Sequence, residues 1–237
     1  CPDGTHPYYR RIPMPRMTEA IGWFKGQFRT AIQASIQDTP FSVDLLTAIA
    51  MQETYYIWGD FYQRLPVAEV LKLCVGDTLD TPNRIAFPKN KSELLQEPKG
   101  DQMFALAREA LESLGPYSSR YHEVATFNPN KFCHGFGIFQ YDIQFFKTNP
   151  DYFLEKRWCD FDACLAVCVQ ELKAALRRTY SSGKITLTDE EMVYVAIAYN
   201  RGSVNFPRGF KQGYRDESGK YYGEHIWEYL QLAKSVP

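Results

Sequence analysis

The chain has 237 residues, 45% of them hydrophobic and 23% charged, with a formal net charge of −1. That is enough apolar material for one large domain or two small ones. The near-neutral balance gives no electrostatic footprint for nucleic acid, which needs a clearly basic face, and no apolar run reaches the ~20 residues that span a bilayer.

Residues 1–16 are proline-rich and read as an extended arm. Thr18 reads as the cap of a helix running to about Gln37, with Ile21, Phe24, Phe28 and Ile32 along one side. Asp38-Thr39-Pro40 ends it. Ser42 is a suitable N-cap for the next helix, Leu45 to Trp58, and Asp44 in its first turn suits the helix dipole. In this helix Leu46, Ile49, Ala50 and Glu53 recur at spacings of three and four, which sets one carboxyl on the stripe that faces the core. Burial of a carboxyl without a cation disfavours its charged form, a property that suits a general acid and that an inert, hydrogen-bonded Glu at the rim would not use.

Residues 61–130 break the pattern. A short helix from about Val67 to Val75 precedes a polar stretch, Gly76 to Gly100, and an amphipathic helix follows from Asp101 to Leu114, stopped by Gly115-Pro116. Residues 133–142, CHGFGIFQYD, read as a glycine-bearing turn whose backbone can approach a ligand closely. The helix from about Asp160 to Tyr180 places Phe161, Cys164, Leu165, Cys168, Leu172 and Leu176 on one face. Thr188 and Glu191 form a capping box ahead of the apolar MVYVAIAYNRG, and Glu224 to Lys234 reads as a terminal helix. No segment alternates as a half-buried strand does, so the fold class is mainly α.

Three segments stand out together: AMQET around Glu53, HGFGIFQYD around Gln140 and AIAYNRG around Tyr199. Their order and wording resemble the goose-type lysozymes and soluble lytic transglycosylases. In that family a helix carries a catalytic Glu followed by Ser, a Gly-x-Gly-Leu-Met-Gln segment lines the sugar groove, and Ala-Tyr-Asn-x-Gly lies on a later helix. Here Thr54 stands for the Ser, Gly137-Ile138-Phe139-Gln140 for the second motif and Ala198-Tyr199-Asn200-Arg201-Gly202 for the third. Asp142 is similar to the acid of a Gln-Val-Asp variant. The family usually keeps the first two motifs much closer than Glu53 and Gly137 are here.

The resemblance implies a single lysozyme-like domain, with 61–130 as a large helical insertion, that cleaves β-1,4 bonds in peptidoglycan or chitin. Glu53 would be the proton donor, since a glycosidic oxygen leaves poorly unless protonated. Asp142 would activate water in an inverting hydrolysis; attack by the muramic 6-hydroxyl would need no second carboxylate. The resemblance assigns Tyr199 to orienting Glu53 or the N-acetyl group, and Gly137, Ile138, Phe139, Gln140, Tyr141 and Asn200 to the groove. It implies a polysaccharide substrate, a monomer, and no cofactor. A non-catalytic glycan-binding module is the rival class.

Six cysteines, at 1, 74, 133, 159, 164 and 168, with no Cys-x2-Cys pair and scattered His, fit disulfides better than a metal. This points to an extracytoplasmic protein, with Cys1 a point for lipid anchoring. Cys133, in the groove segment, is expected to pair with a Cys on the helix 159–168. A cysteine hydrolase using Cys133 with His134 or His122 is the remaining alternative, weakened because adjacent residues rarely face one another productively.

Overall fold

The computed structural model describes residues 14–76, 84–180 and 183–237. Among them the fold is mainly α, as the sequence predicts. The helices in chain order are α1 (Met14–Ser35), α2 (Val43–Trp58), α3 (Val67–Leu73), α4 (Lys91–Leu94), α5 (Gly100–Ser113), α6 (Ser119–Phe127), α7 (Pro150–Leu154), α8 (Phe161–Tyr180), α9 (Asp189–Arg201) and α10 (Tyr222–Ser235). The chain divides into two compact units: one comprises residues up to Gly59 together with Leu165–Pro237, the other Asp60–Cys164. No helix among the described residues is long and apolar enough to cross a membrane.

The first unit is built on α2. Ser42 caps it by accepting from the Leu45 N–H at 3.1 Å, and Leu45, Leu46, Ala48, Ile49 and Ala50 are wholly buried. Trp58 lies 5.5 Å from Trp23 and 5.9 Å from Phe24 between ring centroids, seating α1 against α2. The expected start of α1 at Thr18 is corrected: the helix already runs from Met14. Pro15 ends no helix here, because a proline in the first turn lacks only an N–H that has no intrahelical partner. Of the expected arm at 1–16, residues 1–13 lie outside the described residues and 14–16 are helical.

Helix α10 packs along α2 and is fixed to it at both ends. At its C-terminus the buried Lys25 of α1 donates from Nζ to the carbonyls of Ala233 at 2.6 Å and Val236 at 2.5 Å, and pairs with Asp44 of α2 at 2.7 Å. At its N-terminus the Tyr222 hydroxyl donates to Glu53 at 2.9 Å. Since 222 meets 53 and 233 sits by 44, the two helices run antiparallel. The Thr188 capping box of α9 forms as expected, with the Thr188 N–H on Glu191 at 2.9 Å and the Glu191 N–H on Thr188 Oγ1 at 3.3 Å.

In the second unit, α5 packs against α4, α6 and α7. A small antiparallel sheet was not expected: β1 (Val75–Gly76), β2 (Gly135–Phe136) and β3 (Tyr141–Asp142) lie in the order β1-β2-β3, with Val75 opposite Phe136 and Phe136 opposite Tyr141. Strands of two residues are too short to show a period of two. The glycine-bearing turn is therefore the loop of a hairpin.

Candidate functional site

In the first unit, four side chains from four helices meet: Glu53 of α2, Cys168 of α8, Tyr199 of α9 and Tyr222 of α10. Glu53 is half-buried, so the stripe of α2 carries it to the rim of the core rather than into it. Tyr222 is 1% exposed, and its hydroxyl reaches Glu53 Oε1. Burial holds the Tyr222 pKa well above the usual tyrosine range, and the charge and hydrogen bond of Glu53 add to the shift. Tyr199 is raised in the same way, by burial first and then by Cys168, Glu53 and Tyr222. Both phenols thus keep their hydrogens at any pH where the protein works. The carboxyl thus accepts from one neutral hydroxyl, that of Tyr222, and lies close enough to Tyr199 to raise its pKa.

Of the residues singled out in the sequence, the structure brings Glu53 and Tyr199 together. Asn200 is exposed at the end of α9, where its Oδ1 would lie 3.0 Å from a Cβ on Gly213. Tyr222 and Cys168 were missed as site residues. Tyr222 reads in sequence as one of several half-wet aromatics, and nothing local links it to a carboxyl 169 positions away.

The Gly137–Asp142 group belongs to the second unit. Gly137 has φ +86°, and its N–H donates to Cys74 at 2.8 Å. A Cβ there would lie 2.5 Å from Cys164 Sγ and 3.0 Å from the Tyr152 hydroxyl, so only glycine fits. Ile138 at 0%, Phe139 at 2% and Tyr141 at 9% exposure are core side chains. In this structure they pack in the core of the second unit, their side chains turned away from solvent. Gln140, left-handed at φ +52°, folds its amide back to donate to the Gly137 carbonyl at 2.9 Å and the Cys74 carbonyl at 3.4 Å. It braces its own turn.

Asp142 is held from two sides. Its Oδ1 accepts from Arg84 at 2.6 Å and from the Gln144 N–H at 2.7 Å, the second bond capping the short 3-10 helix Ile143–Lys147. Arg84 in turn donates to the carbonyls of Phe87 and Pro88. The carboxylate anchors loop 84–90 to β3, and both of these bonds fall on one oxygen.

Cys74, Cys133, Cys159, Cys164 and Cys168 are all thiols. The expected disulfide from Cys133 to the 159–168 helix is therefore corrected. The turn gains its rigidity from packing instead: Cys164 abuts Gly137, donates to the Trp158 carbonyl at 3.1 Å and lies 3.5 Å from the Tyr152 hydroxyl. Burial pushes its thiol pKa up to about 12, which removes it as a nucleophile. The backbone N–H of Cys133 is tied to Ala107 of α5, and its side chain is fully buried. Among the described residues no group of three or more His, Cys, Asp or Glu is placed to hold a metal ion.

No family model matches this chain, and neither a curated protein nor a solved structure shows significant similarity to it.

Proposed function

We propose that this protein is a glycan-cleaving enzyme of lysozyme-like architecture, acting on β-1,4 bonds beside N-acetylmuramic acid or N-acetylglucosamine, with Glu53 as the general acid. In this reading the first unit carries the acid, the 61–130 stretch is an addition to the scaffold, and the substrate is peptidoglycan outside the cytoplasm. The observation that carries the reading is the Tyr222–Glu53 hydrogen bond beside Tyr199. A carboxyl on the largely buried helix α2 is fixed in place by a phenol 169 positions further on, in the same cluster as the tyrosine of the Ala-Tyr-Asn motif. The thiols lend nothing to an extracytoplasmic location, which here rests on the substrate alone.

Proton delivery is the role that fits. Glu53, oriented by Tyr222, would give its proton to the glycosidic oxygen as the bond from that oxygen to the anomeric carbon breaks; water or an internal hydroxyl bonds that carbon, and the proton it sheds restores the acid. The intramolecular route needs no second carboxylate and leaves Asp142 the anchor described in the second unit.

Mass spectrometry of products from purified peptidoglycan and from chitin oligomers tests the proposal. Reducing ends indicate hydrolysis, and anhydro ends indicate transglycosylation. Glu53→Gln is expected to lower turnover by ~10² to 10⁴ with melting temperature and oligosaccharide binding retained, because Tyr222 can still donate to the amide oxygen. Near-normal turnover by Glu53→Gln, or a parent that cleaves neither polymer, overturns the reading.

A further inference from the structure

We propose that Asp216 and His225 are positioning residues for Tyr222: bonded to each other, they lock the hairpin 212–223 onto the first turn of α10 and so hold the Tyr222 hydroxyl on Glu53. The inference rests on the proposed role of Glu53 and deepens it by naming what fixes the phenol in place.

Tyr222 is the first residue of α10, a position whose backbone N–H has no partner within its own helix. Here the hairpin supplies one. The Tyr222 N–H donates to the Tyr214 carbonyl at 2.8 Å, and the Gly223 N–H to the Gln212 carbonyl at 3.1 Å. Nearer the tip, Arg215 and Tyr221 form an antiparallel bridge, and the Asp216 N–H donates to the Lys220 carbonyl at 2.9 Å. Gly213, at φ +84°, lets the two arms close, because a Cβ there would lie 2.6 Å from the Tyr222 Cβ. The helix start that carries the phenol is thus one arm of the hairpin.

One carboxylate ties the tip of the hairpin back to the helix. Asp216, 6% exposed, accepts from the Ser218 hydroxyl at 2.7 Å and the Lys220 N–H at 2.9 Å on Oδ1, and meets His225 Nε2 at 2.7 Å on Oδ2. Its pKa lies below the usual value in spite of burial, and a carboxylate only accepts, so Nε2 is the donor. His225 stands three residues after Tyr222 on α10, and its ring stacks on Tyr229 at 6.1 Å between centroids. Without His225 the carboxylate loses the donor on Oδ2 and gains by turning to water, which draws the hairpin tip off the helix. Helix ends fray first, so the turn that carries Tyr222 depends on this latch.

The test compares His225→Leu, His225→Gln, Tyr222→Phe and the double variant His225→Leu/Tyr222→Phe by amide hydrogen exchange and by kinetics on peptidoglycan. In His225→Leu the Tyr222 and Gly223 amides are expected to exchange about tenfold faster, with the α2 amides at their parent rates. The kcat is expected to fall roughly three- to tenfold at unchanged KM, since the loss falls on the orientation of the acid and not on substrate binding. His225→Gln, which keeps an N–H donor of similar reach, is expected to stay within about twofold of the parent in both readouts. With Tyr222 already Phe, His225→Leu should lower kcat no further. Parent-like exchange or unchanged kcat in His225→Leu, a His225→Gln no better than His225→Leu, or a further loss of kcat in the double variant overturns the proposal. Should His225→Leu fail to fold, Asp216→Asn, which keeps the shape of the side chain, goes through the same cycle with the same deciding outcomes. Should the parent cleave no glycan, the reading of Glu53 fails separately, and the exchange rates at Tyr222 and Gly223 still decide whether the latch holds the phenol.

Discussion

Replacing Lys25 by Met tests how the carboxyl-bearing helix and its partner are held. Met keeps most of the apolar stem and removes the ammonium, which serves the Ala233 and Val236 carbonyls and Asp44 from a side chain 4% exposed. Each hydrogen bond from a charged donor contributes about 1.5 to 3 kcal/mol. Asp44 is 26% exposed, so losing that pair is softened by solvent and adds little. The two carbonyls dominate, and a loss of about 3 to 4 kcal/mol follows, within the range for breaking a buried pair from one side. Urea unfolding at neutral pH measures it as a lower midpoint at unchanged slope. Asp44→Asn, which spares both carbonyl bonds, is expected to cost no more than about 1 kcal/mol. A Lys25→Met loss below ~1 kcal/mol, or an Asp44→Asn loss equal to it, would refute the carbonyl cap as the main term.

Three further outcomes are expected. Tyr222→Phe removes the donor on Glu53 Oε1 at 2.9 Å and is expected to slow glycan cleavage about tenfold while costing about 1 kcal/mol of stability; unchanged kcat would free Tyr222 from the site. Gly137→Ala meets both a φ of +86° and a contact of 2.5 Å to Cys164 Sγ, so a loss of about 2 to 4 kcal/mol is expected by chemical denaturation, and a parent-like midpoint would contradict the packing described. Although burial raises the Asp216 pKa, hydrogen bonds from Ser218, the Lys220 N–H and His225 outweigh it, and the folded value lies below 3.8. Its stabilisation is thus complete above that pH and lost as pH falls through the folded value; melting temperatures across pH 2 to 6 should fall less steeply in Asp216→Asn, and an identical slope would exclude the linkage.

Local patterns in the sequence carried much of this structure. The cap at Ser42, the Thr188–Glu191 box and the apolar stripe of α2 each depend on residues within a turn or two, and each formed as read. What depends on distant partners was not legible. The spacing of Gly135 and Gly137 signals a tight turn, but only the fold shows that Gly137 makes room for Cys164 and that Gln140 bonds its own loop. An even cysteine count suggested pairing, yet thiols on the buried side of α8 serve packing and hydrogen bonding. Glu53 and Tyr199 were found because their helices are recognisable, whereas Tyr222 lies at the start of α10, two residues before the expected start.

The bond from Tyr222 to Glu53 spans 169 positions, and this separation bears on the order in which the molecule is made. Residues 60–164 form a contiguous unit, whose contacts can close while the ribosome is still adding chain. The first unit cannot finish in that way, because α2 waits for α10, which emerges well after the second unit. Joining such distant segments costs loop-closure entropy that no early contact offsets, and contacts of this kind form slowly. A nascent chain stopped after α8 would lack both phenols that flank the carboxyl. In the proposed enzyme the carboxyl would gain these partners only once α9 and α10 are made, so a chain stopped before them would have no acid ready to act.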